Sequence, residues 1–255
     1  MTLNEAQIIG ALAEIFGTNH RGVQVGIGDD AAVVATGEHT VITTDMAVEG
    51  THFDCQWSGA FQIGRKITAA NLARGAIKVI SMSALGEVEK VVTRSGAQVG
   101  DLIYLSSLPG WSGAGLSFIE KSELSDLENY AVEEFCSPTL DYSLAVAFAN
   151  KGAHAMCDIS DALVTQAAQL AYASDVQLVF DPEAFKASEE FSQLSELAEV
   201  SGRDVWQWIF AGGEDHVFLA TGKDLPGLCV GVVKEGSGVL GLEMKKAPET
   251  WRHFS

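Results

Sequence analysis

Short apolar runs closed by glycine and aspartate turns alternate along this chain with stretches of helical period, and that alternation restricts the fold more than any other feature. Residues 23–34 and 40–44 predict short strands around Gly/Asp turns, and residues 78–86 (KVISMSALG) open with the β-branched alternation of another. Leu102 to Leu105, just after the turn signal Gly100-Asp101, predicts a further strand. Residues 4–16 (NEAQIIGALAEIF) and 61–73 (FQIGRKITAANLA) carry apolar side chains at helical spacing. Helices are predicted near 113–121, 140–150 and 162–173, the last with Ser160 as N-cap and Asp161 in its first turn. A strand follows at 176–180, a polar helical stretch at 185–200, and a strand at 216–220 behind the turn Ala211-Gly212-Gly213. Strands interleaved with helices imply an α/β (α+β) class. No long linker, repeat or low-complexity tract interrupts the chain, and the expected halves are residues 1–103 and 104–255.

Composition narrows the functional classes. A chain of 255 residues, 47% hydrophobic, has enough core to fold without staples and is too apolar to be disordered. No apolar run approaches the roughly 18 residues of a membrane span, and the first dozen residues carry Glu5 without a basic cluster, so neither membrane nor signal peptide is expected. The reading is a cytoplasmic protein. A net charge of −18 argues against wrapping nucleic acid, whose phosphates need lysine and arginine. A small phosphorylated ligand stays possible if divalent cations bridge the two sets of negative charge. Cys55, Cys136, Cys157 and Cys229 form no CxxC pair and read as reduced, buried thiols.

Four acidic clusters, each beside small residues, are the candidates for chemistry: Gly28-Asp29-Asp30, Thr43-Thr44-Asp45, Asp158-Ile159-Ser160-Asp161 and Gly212-Gly213-Glu214-Asp215. Carboxylates are rarely buried unless paired or metal-bound. Oxygen-rich clusters at strand ends suit Mg2+, a hard cation that also takes phosphate oxygens. The competing reading of any single cluster is an ordinary turn or cap, because Asp, Gly and Ser dominate turns for local reasons.

Other chemistries are excluded by pattern. Residues 26–31 (GIGDDA) formally match GxGxxA, but two aspartates would repel a pyrophosphate and no helical pattern follows. There is no GxxxxGK[ST], no protein-kinase signature set, no HExxH and no GxSxG. His52, just beyond the TTD cluster, is a candidate substrate contact, and Trp251 offers a face for a flat ligand.

Taken in order, the segments VGIGDDAAVV (25–34), TTDMAVEGTHF (43–53), IGRKITAANLA (63–73), TRSGAQVGD (93–101), CDISDALV (157–164), GGEDHVFLAT (212–221) and WRHF (251–254) resemble the thiamine-monophosphate kinases. These belong to the superfamily of aminoimidazole ribonucleotide synthetase. The resemblance implies a two-domain synthetase-like fold whose N-terminal sheet half dimerises, with a C-terminal α/β half. It also implies ATP-dependent phosphorylation of thiamine monophosphate to thiamine pyrophosphate by a homodimer, with ATP and several Mg2+ in a cleft. By motif position, Asp30, Thr43, Thr44, Asp45, Asp158 and Asp161 would hold metal. Arg94 and Ser160 would contact ATP, and His52, Glu214 and Trp251 would line the thiamine phosphate pocket.

One departure stands out. Ala73 is followed directly by residues 74–78, which match the family sequence beyond a GGD element, so several dozen residues are absent, two expected metal-binding aspartates among them. Two alternatives accompany the kinase reading: a sister ATP-dependent synthetase, and a catalytically degenerate nucleotide-binding protein. Selenophosphate synthetase is disfavoured, because its N-terminal Cys-and-Lys loop has no counterpart before Cys55.

Overall fold

The computed structural model describes residues 23–25, 32–35, 39–48, 56–57, 59, 62, 72–73, 79–88 and 90–242. These fall into two units, the first ending at Val91 and the second beginning at Val92.

The first unit contains β1 (Val23–Val25), β2 (Ala32–Ala35), β3 (His39–Val48), β4 (Leu72–Ala73) and β5 (Val79–Glu87) in one antiparallel sheet of order β1-β2-β3-β5-β4. Its longest pairing sets β3 against β5, from Thr40 opposite Glu87 to Val48 opposite Val79. Runs rich in Val, Ile and Thr suit such a pleated surface. The helix read over 61–73 is corrected at its end: Leu72 and Ala73 are strand, paired with Ile80 and Val79 across the five-residue connection 74–78. Ladder pairing beside β5 overrides their helical propensity. The helix read over 4–16 lies outside the described residues.

The second unit is a mixed sheet of order β11-β8-β10-β6-β9-β7. Its strands are β6 (Leu102–Leu105), β7 (Ala155–Asp158), β8 (Gln177–Phe180), β9 (Phe218–Gly222), β10 (Leu228–Lys234) and β11 (Gly238–Leu240). Its helices are α1 (Trp111–Phe118), α2 (Asp126–Cys136), α3 (Tyr142–Lys151), α4 (Leu163–Ser174), α5 (Pro182–Lys186), α6 (Glu189–Ser201) and α7 (Val205–Ala211). All pairs are antiparallel except β11 with β8. Ile103, Leu105, Leu163, Leu170, Leu178, Leu194 and Phe210 form the core between sheet and helices. The chain is thus α/β, as the alternation requires.

The polar stretch read as one helix over 185–200 is two. Ser188 accepts the Phe191 N–H and starts α6 afresh after α5. Ser160 does not cap α4. That N-cap is Ala162, with no side-chain cap bond, and Asp161 precedes the first turn; the Gln166 side chain instead accepts the Ala162 N–H at 3.0 Å. Cys136 and Cys157 are buried, as read, whereas Cys229 is exposed. No helix among the described residues is long and apolar enough to cross a membrane.

Candidate active site

Two loops of the second unit are laced together at one end of its sheet. β7 ends at Asp158 and the chain turns through Ile159, Ser160 and Asp161 before α4. The facing turn, 212–217, leads into β9, which pairs antiparallel with β7 so that Asp158 stands opposite Phe218. The Ile159 N–H donates to the Val217 carbonyl at 2.8 Å, the His216 N–H to Ile159 at 2.9 Å, and the Glu214 N–H to Ser160 at 2.6 Å. Gly213 is needed at this crossing, since a Cβ there would stand 2.5 Å from the Asp161 carbonyl oxygen and 2.9 Å from that of Ser160. Glu214 and His216 both adopt left-handed backbone, with φ of 66° and 54°. Each costs an L-residue about 1–2 kcal/mol. The left-handed His216 is also why β9 starts at Phe218 and not at 216.

Between those two residues, Asp215 is only 6% exposed. Its carboxylate accepts the Gly110 N–H at 2.9 Å and the Ser112 N–H at 3.0 Å, at the start of α1. Burial disfavours its charge and the two N–H donors favour it. Burial wins, pushing the pKa up to about 6.

The structure gathers four of the predicted residues here. Asp158 is about one-third exposed, with Oδ2 3.2 Å from His216 Nδ1. Ser160, Asp161 and Glu214 are half-buried on the two laced loops. Arg94 is held to α4, its Nη1 donating to Gln169 Oε1 at 2.7 Å. Its neighbour Thr93 accepts the Met156 N–H at 2.8 Å, so this segment flanks β7. Thr43, Thr44 and Asp45 lie in β3 of the first unit, opposite Ala84, Ser83 and Met82. Asp30, His52 and Trp251 lie outside the described residues. Among the described residues no group of three or more His, Cys, Asp and Glu side chains stands together as a metal cage.

Asp215 is named from sequence only as a member of the Gly212–Asp215 cluster, with no role of its own, and His216 is given no role. The signal for Asp215 was its place beside Glu214 in the acidic pair, and for His216 its place one residue further on. A cavity of about 180 Å³ opens beside this turn, lined by Ser106, Trp111, Tyr130, Glu134, Glu190 and His216 among others.

Comparison with known proteins places this arrangement. Residues 28–85 match the family model of the AIR synthase related protein, N-terminal domain, and residues 98–224 that of its C-terminal domain. Thiamine-monophosphate kinase of Corynebacterium glutamicum is 28% identical over 279 residues, taking in 86% of this chain and 82% of that enzyme. That alignment is longer than the chain itself, so many of its positions face no residue here. Thiamine-monophosphate kinase of Aquifex aeolicus is 33% identical over 199 residues, covering 74% of this chain and 63% of that one. A solved structure described as AaThiL complexed with AMPPCP and TMP superposes with a TM-score of 0.84 at 26% identity, over 100% of this chain and 99% of that one. With both family domains in order and these relatives beside it, the chain belongs to the AIR synthase-related family and is a phosphotransferase of its thiamine-monophosphate kinase branch.

Proposed function

We propose that the chain transfers the γ-phosphoryl group of ATP directly to thiamine monophosphate, giving thiamine pyrophosphate and ADP. A phosphate oxygen of the acceptor attacks the γ-phosphorus as the bond to the departing ADP oxygen breaks. That acceptor is already anionic at neutral pH, so the reaction needs positioning and charge neutralisation more than a general base. The observation that carries this reading is the pair of loops, tied by backbone hydrogen bonds, that carries Asp158, Ser160, Asp161 and Glu214, on a fold that superposes on AaThiL complexed with AMPPCP and TMP.

Asp158 and Asp161 offer the all-oxygen donors that a hard cation prefers. The same reading also assigns Asp30, Thr43, Thr44 and Asp45 to metal. When bound there, Mg2+ would neutralise the facing phosphates. Arg94 and Ser160 are assigned to ATP, and His52, Glu214 and Trp251 to thiamine monophosphate. The enzyme is taken to act in the cytoplasm as a homodimer.

A second reading, a degenerate nucleotide-binding protein, is favoured by one observation, the stretch of its relatives that has no counterpart here. Incubation with ATP, Mg2+ and thiamine monophosphate, followed by chromatography for thiamine pyrophosphate, separates the two. Product dependent on both ATP and metal supports the kinase. Nucleotide binding without product supports the degenerate protein.

A further inference from the structure

His216 stands where the two tied loops meet, and the backbone on both sides of it is pinned. Its own N–H donates to the Ile159 carbonyl at 2.9 Å, and the carbonyl of the next residue, Val217, accepts the Ile159 N–H at 2.8 Å. The preceding residue, Asp215, is buried and accepts the Gly110 and Ser112 N–H groups. These contacts hold His216 at φ 54°, a left-handed conformation that a histidine keeps only where its surroundings dictate it. Backbone strain of this kind gathers at functional sites, where it aims a side chain.

The His216 side chain is aimed at Asp158. Nδ1 stands 3.2 Å from Oδ2, with the histidine side chain 15% and the aspartate side chain 32% exposed. A carboxylate only accepts, so Nδ1 carries a proton and is the donor of this bond. Asp158 is the last residue of β7, an edge strand among the described residues that pairs with β9. A partly exposed side chain at the end of an edge strand has several rotamers open to it. A bond from a ring on a pinned backbone removes that freedom before any ligand arrives. The imidazole itself is a poor match for the cation of the kinase reading, because a hard ion such as Mg2+ selects carboxylate oxygens over ring nitrogens.

We propose that His216 is a positioning residue for Asp158, fixing the orientation in which that carboxylate offers its second oxygen to a divalent cation. The proposal rests on the kinase reading, which assigns Asp158 to metal. Groups that hold a metal ligand by a hydrogen bond are worth about 10–100-fold in metal affinity or activity.

The test is titration of the full chain with Mn2+ alone, the free ion being read by electron paramagnetic resonance, beside turnover with ATP, Mg2+ and thiamine monophosphate. Two variants accept the left-handed backbone: His216→Gly removes the donor, and His216→Asn carries an amide N–H at the position of Nδ1. His216→Gly should weaken Mn2+ binding by about tenfold and raise the Mg2+ concentration for half-maximal rate in step. His216→Asn should restore the wild-type value of both. Equal Mn2+ affinity in wild type and His216→Gly overturns the proposal. So does a loss of that size in His216→Asn, a comparison that stands whether or not the glycine variant folds, and so does a wild type that binds no Mn2+. Metal affinity that follows the donor, with no thiamine pyrophosphate formed, leaves the positioning standing and removes the kinase reading. Product formed at equal metal affinity in all three proteins removes the positioning alone.

Discussion

The Asp215 carboxylate accepts the backbone N–H of Ser112, 3.0 Å away and 103 positions earlier in the chain. With the parallel bond from Gly110, this ties the turn carrying Glu214 to the first turn of α1. Asp215→Ala would leave both N–H groups buried and unpaired, at about 1–3 kcal/mol for such a loss. We expect urea unfolding at pH 7 to register a destabilisation of about 2 kcal/mol, with slower turnover as the turn loosens.

The raised pKa of Asp215 gives a pH signature of definite sign. Its folded value of about 6 lies above the ordinary 3.8, so its favourable contribution is complete below about pH 4 and is lost as pH rises through about 6. The loss amounts to about 3 kcal/mol. Stability of wild type relative to Asp215→Asn, measured by denaturant titration, should therefore fall steadily from pH 4 to pH 6 and then level off. A relative stability that climbs over this interval would contradict the assignment.

Asp45→Asn addresses the metal role proposed in the first unit. It should lower phosphoryl transfer by at least about a hundredfold, since even residues that only support metal ligands are worth about 10–100-fold. Circular dichroism and the melting temperature should stay near wild type. Substantial remaining activity would remove Asp45 from the metal set.

Gly213→Ala tests the lacing of the two loops. The new methyl would collide with the Asp161 and Ser160 carbonyl oxygens and push the loops apart. We expect a stability loss of about 1–3 kcal/mol and a fall in kcat of about tenfold or more, because small displacements of a positioned group are costly in rate. Steady-state kinetics and thermal melts read the two effects separately.

A distant control is Ser125→Ala. Ser125 accepts the Glu128 N–H while Glu128 accepts the Ser125 N–H, a reciprocal cap at the start of α2. Its removal should cost about 1 kcal/mol in urea unfolding and leave kcat and KM unchanged.

How far this was legible in the sequence depended on whether the determining contacts are local. β6 is read to the residue, because Gly100-Asp101 marks its start and a short apolar run its extent. α2 was missed: its acidic residues Asp126, Glu128, Glu133 and Glu134 blur the apolar period, although Ser125 and Glu128 at cap spacing were a usable sign. Ser160 looked like a cap because its type and position fit one. Its carbonyl is instead taken up by Glu214, from a turn far along the chain, and no local pattern announces that contact. The four acidic clusters were visible as clusters, but Asp215 differs in role from the rest. Its carboxylate is spent on α1, which depends on the three-dimensional approach of Gly110 and Ser112.

The left-handed backbone of Glu214 has an evolutionary consequence. Glycine would sit at φ 66° without the penalty an L-residue bears, so Glu214→Gly should make the protein harder to melt. It would also delete the carboxylate assigned to the acceptor. Selection for heat resistance and selection for turnover therefore pull this one position in opposite directions. A library screened only for survival at high temperature would collect glycine at 214 and, with it, lose the carboxylate proposed to hold the acceptor.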